Sequence, residues 1–247
     1  MSSGAPASPV VMVTGALGGI GRATSLAFAA RKSRLVLCDL SLERASTLIS
    51  EIESLGGEAE AVGLDVRDAA AQRAAARAAV ERWGRLDVLV ANAGIVDRST
   101  VGEGDPERWR AVVETNLLGT IFSARAVVPV MVEQGRGHVF VVASVSGRET
   151  YVGEPVYVAS KWGQVGFAHA LREEVMHAGV RVTLVEPGLV DTPLARSSPA
   201  IRRLLDEIEP LSPSNVADAI LYAFDQPREA VVSELTIRPL RQGRLTF

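Results

Sequence analysis

Tyr157 and Lys161 stand four residues apart in the stretch YVASK. On a helix that spacing places phenol and ammonium on one face, where they can meet. A cation beside a phenol favours the phenolate, so such a pair can take and return a proton. The same spacing also describes inert pairs, because an exposed pair of this kind is worth only about 0.2–0.5 kcal/mol. Lowering a tyrosine pKa of about 10 by three units requires roughly 4 kcal/mol. The pair can therefore do chemistry only in a desolvated cleft, with a second positive charge at hand.

A source for that second charge is written near the start of the chain. The apolar run VVMVT leads into TGALGGIGRA, with Gly15, Gly19 and Gly21 where a strand should turn into a helix. Glycines there permit a tight turn and let the backbone approach a pyrophosphate, which the helix N-terminus stabilises. The spacing G-x-x-x-G-x-G departs from G-x-G-x-x-G, and a glycine turn without a ligand is the alternative. Asp39 closes the second apolar run about 20 residues further on, where an acid can bind both ribose hydroxyls of NAD and repel a 2′-phosphate. Gly18, Leu40 and Ser41 offer no cation to such a phosphate, so NAD is expected over NADP. A helix-capping role competes for Asp39.

The elements that must position these residues follow from the apolar pattern. Runs at 10–14, 34–40, 60–66, 86–94, 138–144 and 180–188 are β-branched and hardly alternate, as suits strands buried on both faces. Helical patterns lie between them, such as 41–56, with Ser41 as expected N-cap and Gly56 and Gly57 as the stop, and 68–83, opened by Asp68. Strand and helix in alternation predict an α/β fold with a parallel sheet covered by helices on both faces; a barrel would also alternate, and the glycine loop and acidic strand ends favour the Rossmann-type doubly wound open sheet. The ending AVVSELTIRPLRQ reads as a last strand and brings the sheet to about seven. Residues 1–8 read as a loose tail, and no Pro-, Gly- or Ser-rich linker divides 9–247, so one domain is expected there.

Composition narrows the function classes. Of 247 residues, 47% are apolar and 22% charged, an ordinary globular balance, and the net charge of -3 lacks the basic excess of a nucleic-acid binder. Arg67, Arg73, Arg77, Arg82 and Arg85 read as a solvated helix face. The one cysteine, Cys38, cannot form an internal disulfide, and Cys and His nowhere adopt metal-ligand spacing, so no metal is expected. His138, His169 and His177 read as structural or surface residues. Neither a signal peptide nor a run approaching about 18 apolar residues is visible, and a cytoplasmic home without membrane attachment is expected.

TGALGGIG, then NAG at 92–94, Ser144, YVASK and PGLVDT at 187–192, in this order, resemble the short-chain dehydrogenase/reductase family, in its compact single-domain branch. The resemblance runs from about Val10 to Pro239. It implies that Gly15, Leu17, Gly19, Ile20 and Gly21 hold the pyrophosphate, that Asp39 and Leu40 meet the adenosine ribose, and that Asp65 and Val66 bracket the adenine. Asn92, Ala93 and Gly94 would line the cofactor floor; Pro187, Gly188, Val190 and Thr192 would meet the nicotinamide end. It further implies Tyr157 as acid/base, Lys161 as its electrostatic partner and ribose donor, Ser144 as the group orienting the substrate oxygen, and Asn116 as support for a water in a proton relay. Read without the resemblance, Asp65 could begin a turn, Asn116 could lie on a wet helix face, Ser144 could open a turn with Ser146 as its rival, and Pro-Gly could be a simple turn.

The implied reaction is hydride transfer between NAD, or less favourably NADP, and a secondary alcohol or ketone. An NADPH-dependent ketone reductase and a non-catalytic dinucleotide sensor are the other readings; the sensor would have no need of Ser144, Tyr157 and Lys161. Substrate contacts are expected from Val96, Ser146, Val152, Gly153 and Leu194. Arg196, Arg202 and Arg203 lie in the segment where the family places its lid, and a solvated face is their expected role. Val127, Val128, Val130 and Met131 suit burial between subunits of a homo-oligomer, a tetramer ahead of a dimer.

Overall fold

The structure, a computed structural model, describes residues 8–243, so the expected loose tail lies, apart from Ser8, outside the described residues. Seven strands form one parallel sheet in the order β3-β2-β1-β4-β5-β6-β7. They are β1 Val10–Thr14, β2 Arg34–Asp39, β3 Glu58–Gly63, β4 Val88–Ala91, β5 Gly137–Val142, β6 Val180–Pro187 and β7 Glu234–Ile237. The order reverses between β1 and β4, and a crevice opens there beyond the strands' carboxyl ends.

Alternation along each strand feeds two cores. From β1, Val10 and Met12 point to the side that holds Leu89, Val139 and Leu184, while Val11 and Val13 join Phe28, Leu35 and Phe140 on the other. On the second side lie α1 (Gly19–Ala29), α2 (Ala45–Ser54) and α9 (Pro213–Phe224); on the first lie α3 (Ala69–Trp83), α5 (Gly119–Glu133) and α6 (Pro155–Val175). The remaining helices are α4 (Pro106–Val113), α7 (Pro193–Arg196) and α8 (Pro199–Glu207). Asp68 caps α3 as expected, accepting from the N–H groups of Ala70 and Ala71 at 2.8 and 3.0 Å.

Several local expectations are corrected. β3 ends at Gly63, so Asp65 and Val66 lie in the loop beyond it; this is an edge strand of EAEAVG, half exposed rather than buried on both faces. α2 begins after Arg44 without a side-chain cap, and Ser41 only turns its hydroxyl to the N–H of Glu43 at 3.5 Å. Val127 and Met131 are fully buried in the protein's own core, and Val128 and Val130 pack against it. The continuous helix 106–133 is long and apolar enough, by length and composition, to cross a membrane, contrary to the reading from runs alone. In the fold its buried side chains, Ala124, Val127 and Met131 among them, belong to the core beneath the sheet. His138 is buried, stacked on Phe140 with ring centres 3.9 Å apart, and burial holds its imidazole well below its usual pKa.

Candidate active site

The crevice holds a cavity of about 480 Å³ whose floor is the turn from β1 into α1. Gly15 adopts φ +64°, and a Cβ there would stand 2.9 Å from the Ala93 Cα. Gly21 has no room at all: its Cβ would lie 2.1 Å from the Gly15 carbonyl oxygen. Asn92 braces the turn, its Nδ2 donating to the carbonyls of Thr14 and Gly15 at 3.0 and 3.1 Å. No side chain caps α1 at Gly18, so the first N–H groups of that helix are left for an anion, which suits a pyrophosphate. On the far side Asp39 accepts from the Leu17 N–H at 2.8 Å and the Leu40 N–H at 2.8 Å. One carboxylate thus fixes both the glycine turn and the end of β2. These residues fit the dinucleotide that the sequence implies.

Tyr157 stands where this cavity meets a second one of about 140 Å³, and lines both. Pro155 opens α6, which carries Tyr157 and Lys161 on one face, the Lys161 Nζ 5.6 Å from the centre of the phenol ring. Ser144 follows β5 and lines the smaller cavity with Tyr157; its Oγ accepts from the Ser146 N–H at 3.1 Å. Burial, with the Glu154 carboxylate adding to it, pushes the phenol up to about 12, while Ser144 and Arg98 act in the opposite direction. Burial alone draws Lys161 down to about 7. The protein alone thus leaves the phenol far from neutrality while it brings the ammonium close to it.

Asn116 occupies a π-helical turn, Glu114–Leu118, inserted between α4 and α5. Its side chain is fully buried and committed: Oδ1 accepts from the Ile95 N–H at 2.9 Å, and Nδ2 donates to the Ile95 carbonyl and the Ser160 hydroxyl, both at 3.0 Å. A wet helix face is thereby excluded. The widened turn brings Asn116 to the loop after β4 and, through Ser160, to the Tyr157 backbone carbonyl, which accepts from Ser160 at 2.7 Å.

Gly15, Leu17, Gly19, Ile20, Asp39, Asn92, Ala93, Gly94, Lys161 and Thr192 line the larger cavity. Pro187, Gly188, Val190, Val96, Ser146 and Leu194 line the smaller one with Ser144. Five expected contacts lie apart from both. Leu40 is 74% exposed; Val66 packs against Gly119; Asp65 is held by Arg67 at 2.6 Å in an open hollow beside Glu114, which lowers its pKa; Val152 is 75% exposed and Gly153 sits beside it at φ +83°. Gly21 serves the larger cavity by packing beneath its floor. Arg196 is paired with Asp191, and Arg202 donates to the Arg196 carbonyl, so both are occupied outside the cavities.

Four residues escaped the sequence reading. Arg98 and Glu154 face the smaller cavity together with Ser146, the Arg98 Nε 3.6 Å from the Glu154 Oε2. Burial raises the Glu154 carboxyl above its usual range. Arg44 lines the larger cavity near Asp39. Gln164 lies fully buried below Lys161. Of these only Gln164 left a usable signal, a polar side chain one helical turn from a lysine on an otherwise apolar face.

The fold and the paired cavities define a dinucleotide-dependent oxidoreductase of the Rossmann type. Residues 9–202 match the short chain dehydrogenase family, and the chain belongs to it. An uncharacterised oxidoreductase of Staphylococcus saprophyticus is 34% identical over 233 residues, covering 94% of this chain and 97% of that protein. Among solved structures, an alcohol dehydrogenase from the archaeon Thermococcus sibiricus complexed with 5-hydroxy-NADP is 28% identical, with TM-score 0.86 over 95% of this chain and 98% of that one. A short chain dehydrogenase from Mycobacterium paratuberculosis bound to NAD is 26% identical, with TM-score 0.83 over 93% and 96%. The protein is an oxidoreductase that acts with a nicotinamide cofactor.

Proposed function

We propose that the protein interconverts a secondary alcohol and a ketone with NAD, with Tyr157 as acid/base. The observation that carries this reading is the position of Tyr157 at the junction of two cavities, with Ser144 lining the smaller one and Lys161 beside it. When bound, the cofactor supplies the hydride acceptor or donor and, in its oxidised form, a positive charge. In oxidation the Tyr157 phenolate takes the hydroxyl proton of the alcohol, while Ser144 holds the substrate oxygen by a hydrogen bond. In reduction Tyr157 returns that proton to the forming alkoxide. Lys161 stabilises the phenolate and donates to a ribose hydroxyl, and Asn116 supports the relay behind it. Asp65 and Val66 belong to the adenine end of the same proposal.

Magnitudes support the need for both charges. Moving a phenol from about 12 to neutrality amounts to roughly 7 kcal/mol. With its Nζ 5.6 Å from the ring centre and an effective dielectric of about 20, a fully charged Lys161 contributes roughly 3 kcal/mol. The remainder falls to the cofactor's charge and to Ser144.

Asp39 favours NAD, since its carboxylate would repel a 2′-phosphate. The presence of Arg44 on the same cavity wall favours NADP as the second reading. Initial rates on a panel of secondary alcohols and ketones, with NAD and NADP in both oxidation states, decide between them. Faster turnover with NAD is expected; a large NADP preference overturns the Asp39 argument, and cofactor binding without any turnover overturns the enzymatic reading.

A single domain over 9–247, a cytoplasmic home and a homotetramer complete the proposal. The lone buried Cys38 supports a reducing compartment. Exposed Trp162 on α6, with Leu118 and Val132 near and on α5, supports subunit contacts on those helices. Sedimentation equilibrium is expected to give four times the chain mass; a monomer contradicts it.

A further inference from the structure

The chain provides its own buried acceptor for the active-site ammonium. Lys161 Nζ donates to Gln164 Oε1 at 2.8 Å and to the Val142 carbonyl at 3.3 Å. Gln164 Nε2 donates to the Thr120 hydroxyl at 2.7 Å, and that hydroxyl donates to the Asn116 backbone carbonyl at 2.8 Å. Lys161, Gln164, Thr120 and Asn116 are 4%, 0%, 3% and 0% exposed, so the path is dry. It links three elements: α6, α5 and the π-turn. A buried amide this fully paired is held in a single orientation, with its oxygen fixed toward the lysine.

We propose that Gln164 is a positioning residue for the acid/base pair: with Thr120 it holds the Lys161 ammonium charged and aimed at Tyr157, tying it to the Asn116 carbonyl through side chains. The inference rests on the proposed role of Tyr157 and Lys161. An amide cannot pass a proton along readily, so Gln164 acts through the lysine and never touches substrate. Its oxygen matters because it is the nearer of the two acceptors that the ammonium meets, at 2.8 Å against 3.3 Å for the Val142 carbonyl. Lys161 meets Tyr157 on its own α6 and neutral Val142 from β5, and behind Gln164 lie neutral Thr120 from α5 and Asn116 from the π-turn. Asp39, Glu43 and Arg44 line the same cavity, and Glu154 and Arg98 act on Tyr157 from the smaller one. Burial draws the Lys161 pKa down, and the Gln164 and Val142 oxygens are the acceptors its ammonium meets against that burial.

The sequence contains two lysines, Lys32 and Lys161, so lysine labelled with ¹³C at Cε gives two signals, and Lys32→Arg assigns them. In the cofactor-free protein Lys161 is expected to titrate near 7. Gln164→Met, which keeps the side-chain volume but removes the acceptor, is expected to lower that midpoint by about one unit or more. Gln164→Glu is expected to raise it by about one unit or more, because a carboxylate favours the ammonium. The pH profile of alcohol oxidation is expected to move to higher pH in Gln164→Met and not in Gln164→Glu, with cofactor affinity unchanged in both. Thr120→Val, which releases only the far end of the amide, is expected to lower the midpoint less, and carries the test if Gln164→Met does not fold. An unmoved Lys161 midpoint in the folded variant overturns the proposal. Shifted midpoints in a wild-type protein that turns over no alcohol or ketone would uphold the placement of Lys161 and overturn the acid/base reading instead.

Discussion

Lys161 should weaken the cofactor-free protein, and the effect can be read against pH. Its pKa falls from 10.5 to about 7 on folding because its ammonium is buried. The unfolded chain therefore holds one more proton than the folded one between those values, and stability rises with pH through that window. At pH 7 the penalty is about 4 kcal/mol and at pH 9 about 2 kcal/mol, so the wild type should gain about 2 kcal/mol between them from this group. Lys161→Met removes the penalty but leaves Gln164 Oε1 without its donor, a loss of about 1–3 kcal/mol. The variant should thus be more stable than wild type at pH 7 by roughly 2 kcal/mol and close to it at pH 9. Urea unfolding followed by fluorescence of the three tryptophans, at fixed protein concentration and without cofactor, measures both differences. Tyr157 and Tyr151, raised from 10.0, titrate above pH 9 in folded and unfolded chains alike; Cys38, raised from 9.0, acts equally in both proteins. A wild-type stability that changes with pH in parallel with that of Lys161→Met would refute the reasoning.

Three further outcomes are expected. Glu154→Gln removes the carboxylate that helps to raise Tyr157, so the pH profile of kcat/KM for oxidation should move to lower pH; an unchanged profile would separate Glu154 from the acid/base group. Gly21→Ala places a Cβ 2.1 Å from the Gly15 carbonyl oxygen, backbone that cannot yield, and should weaken cofactor affinity by about tenfold or more through displacement of the turn, read by nucleotide fluorescence titration. Ser144→Ala should lower kcat by about a hundredfold with little change in cofactor affinity, and unimpaired kcat would remove Ser144 from the substrate oxygen.

What could be read in the sequence was whatever local pattern and chain order determine. Unbroken apolar runs gave the interior strands, Asp68 gave a helix start, and the glycine turn and Asp39 marked one edge of the sheet because β1 and β2 are neighbours there. Apolar pattern sets edge strand β3 two residues late because its alternating EAEAVG carries less apolar weight than the LDV that follows. The π-turn around Asn116 is a backbone adjustment with no residue signature, and without it the asparagine looks like a polar side chain facing water. Val127 and Met131 show the reverse: an apolar stripe does not say whether it faces its own core or another subunit. Arg44, Arg98 and Glu154 reach the cavities from segments far apart in the chain, and only the folded sheet brings them together.

The central claim is that Tyr157 exchanges the proton while the rest of the site holds cofactor and substrate. Tyr157→Phe keeps the ring and removes only the hydroxyl, so cofactor titration and turnover should be measured on the same preparation. The account predicts a dissociation constant near that of the wild type and a kcat reduced by about a hundredfold or more. Undiminished turnover in that variant would contradict it.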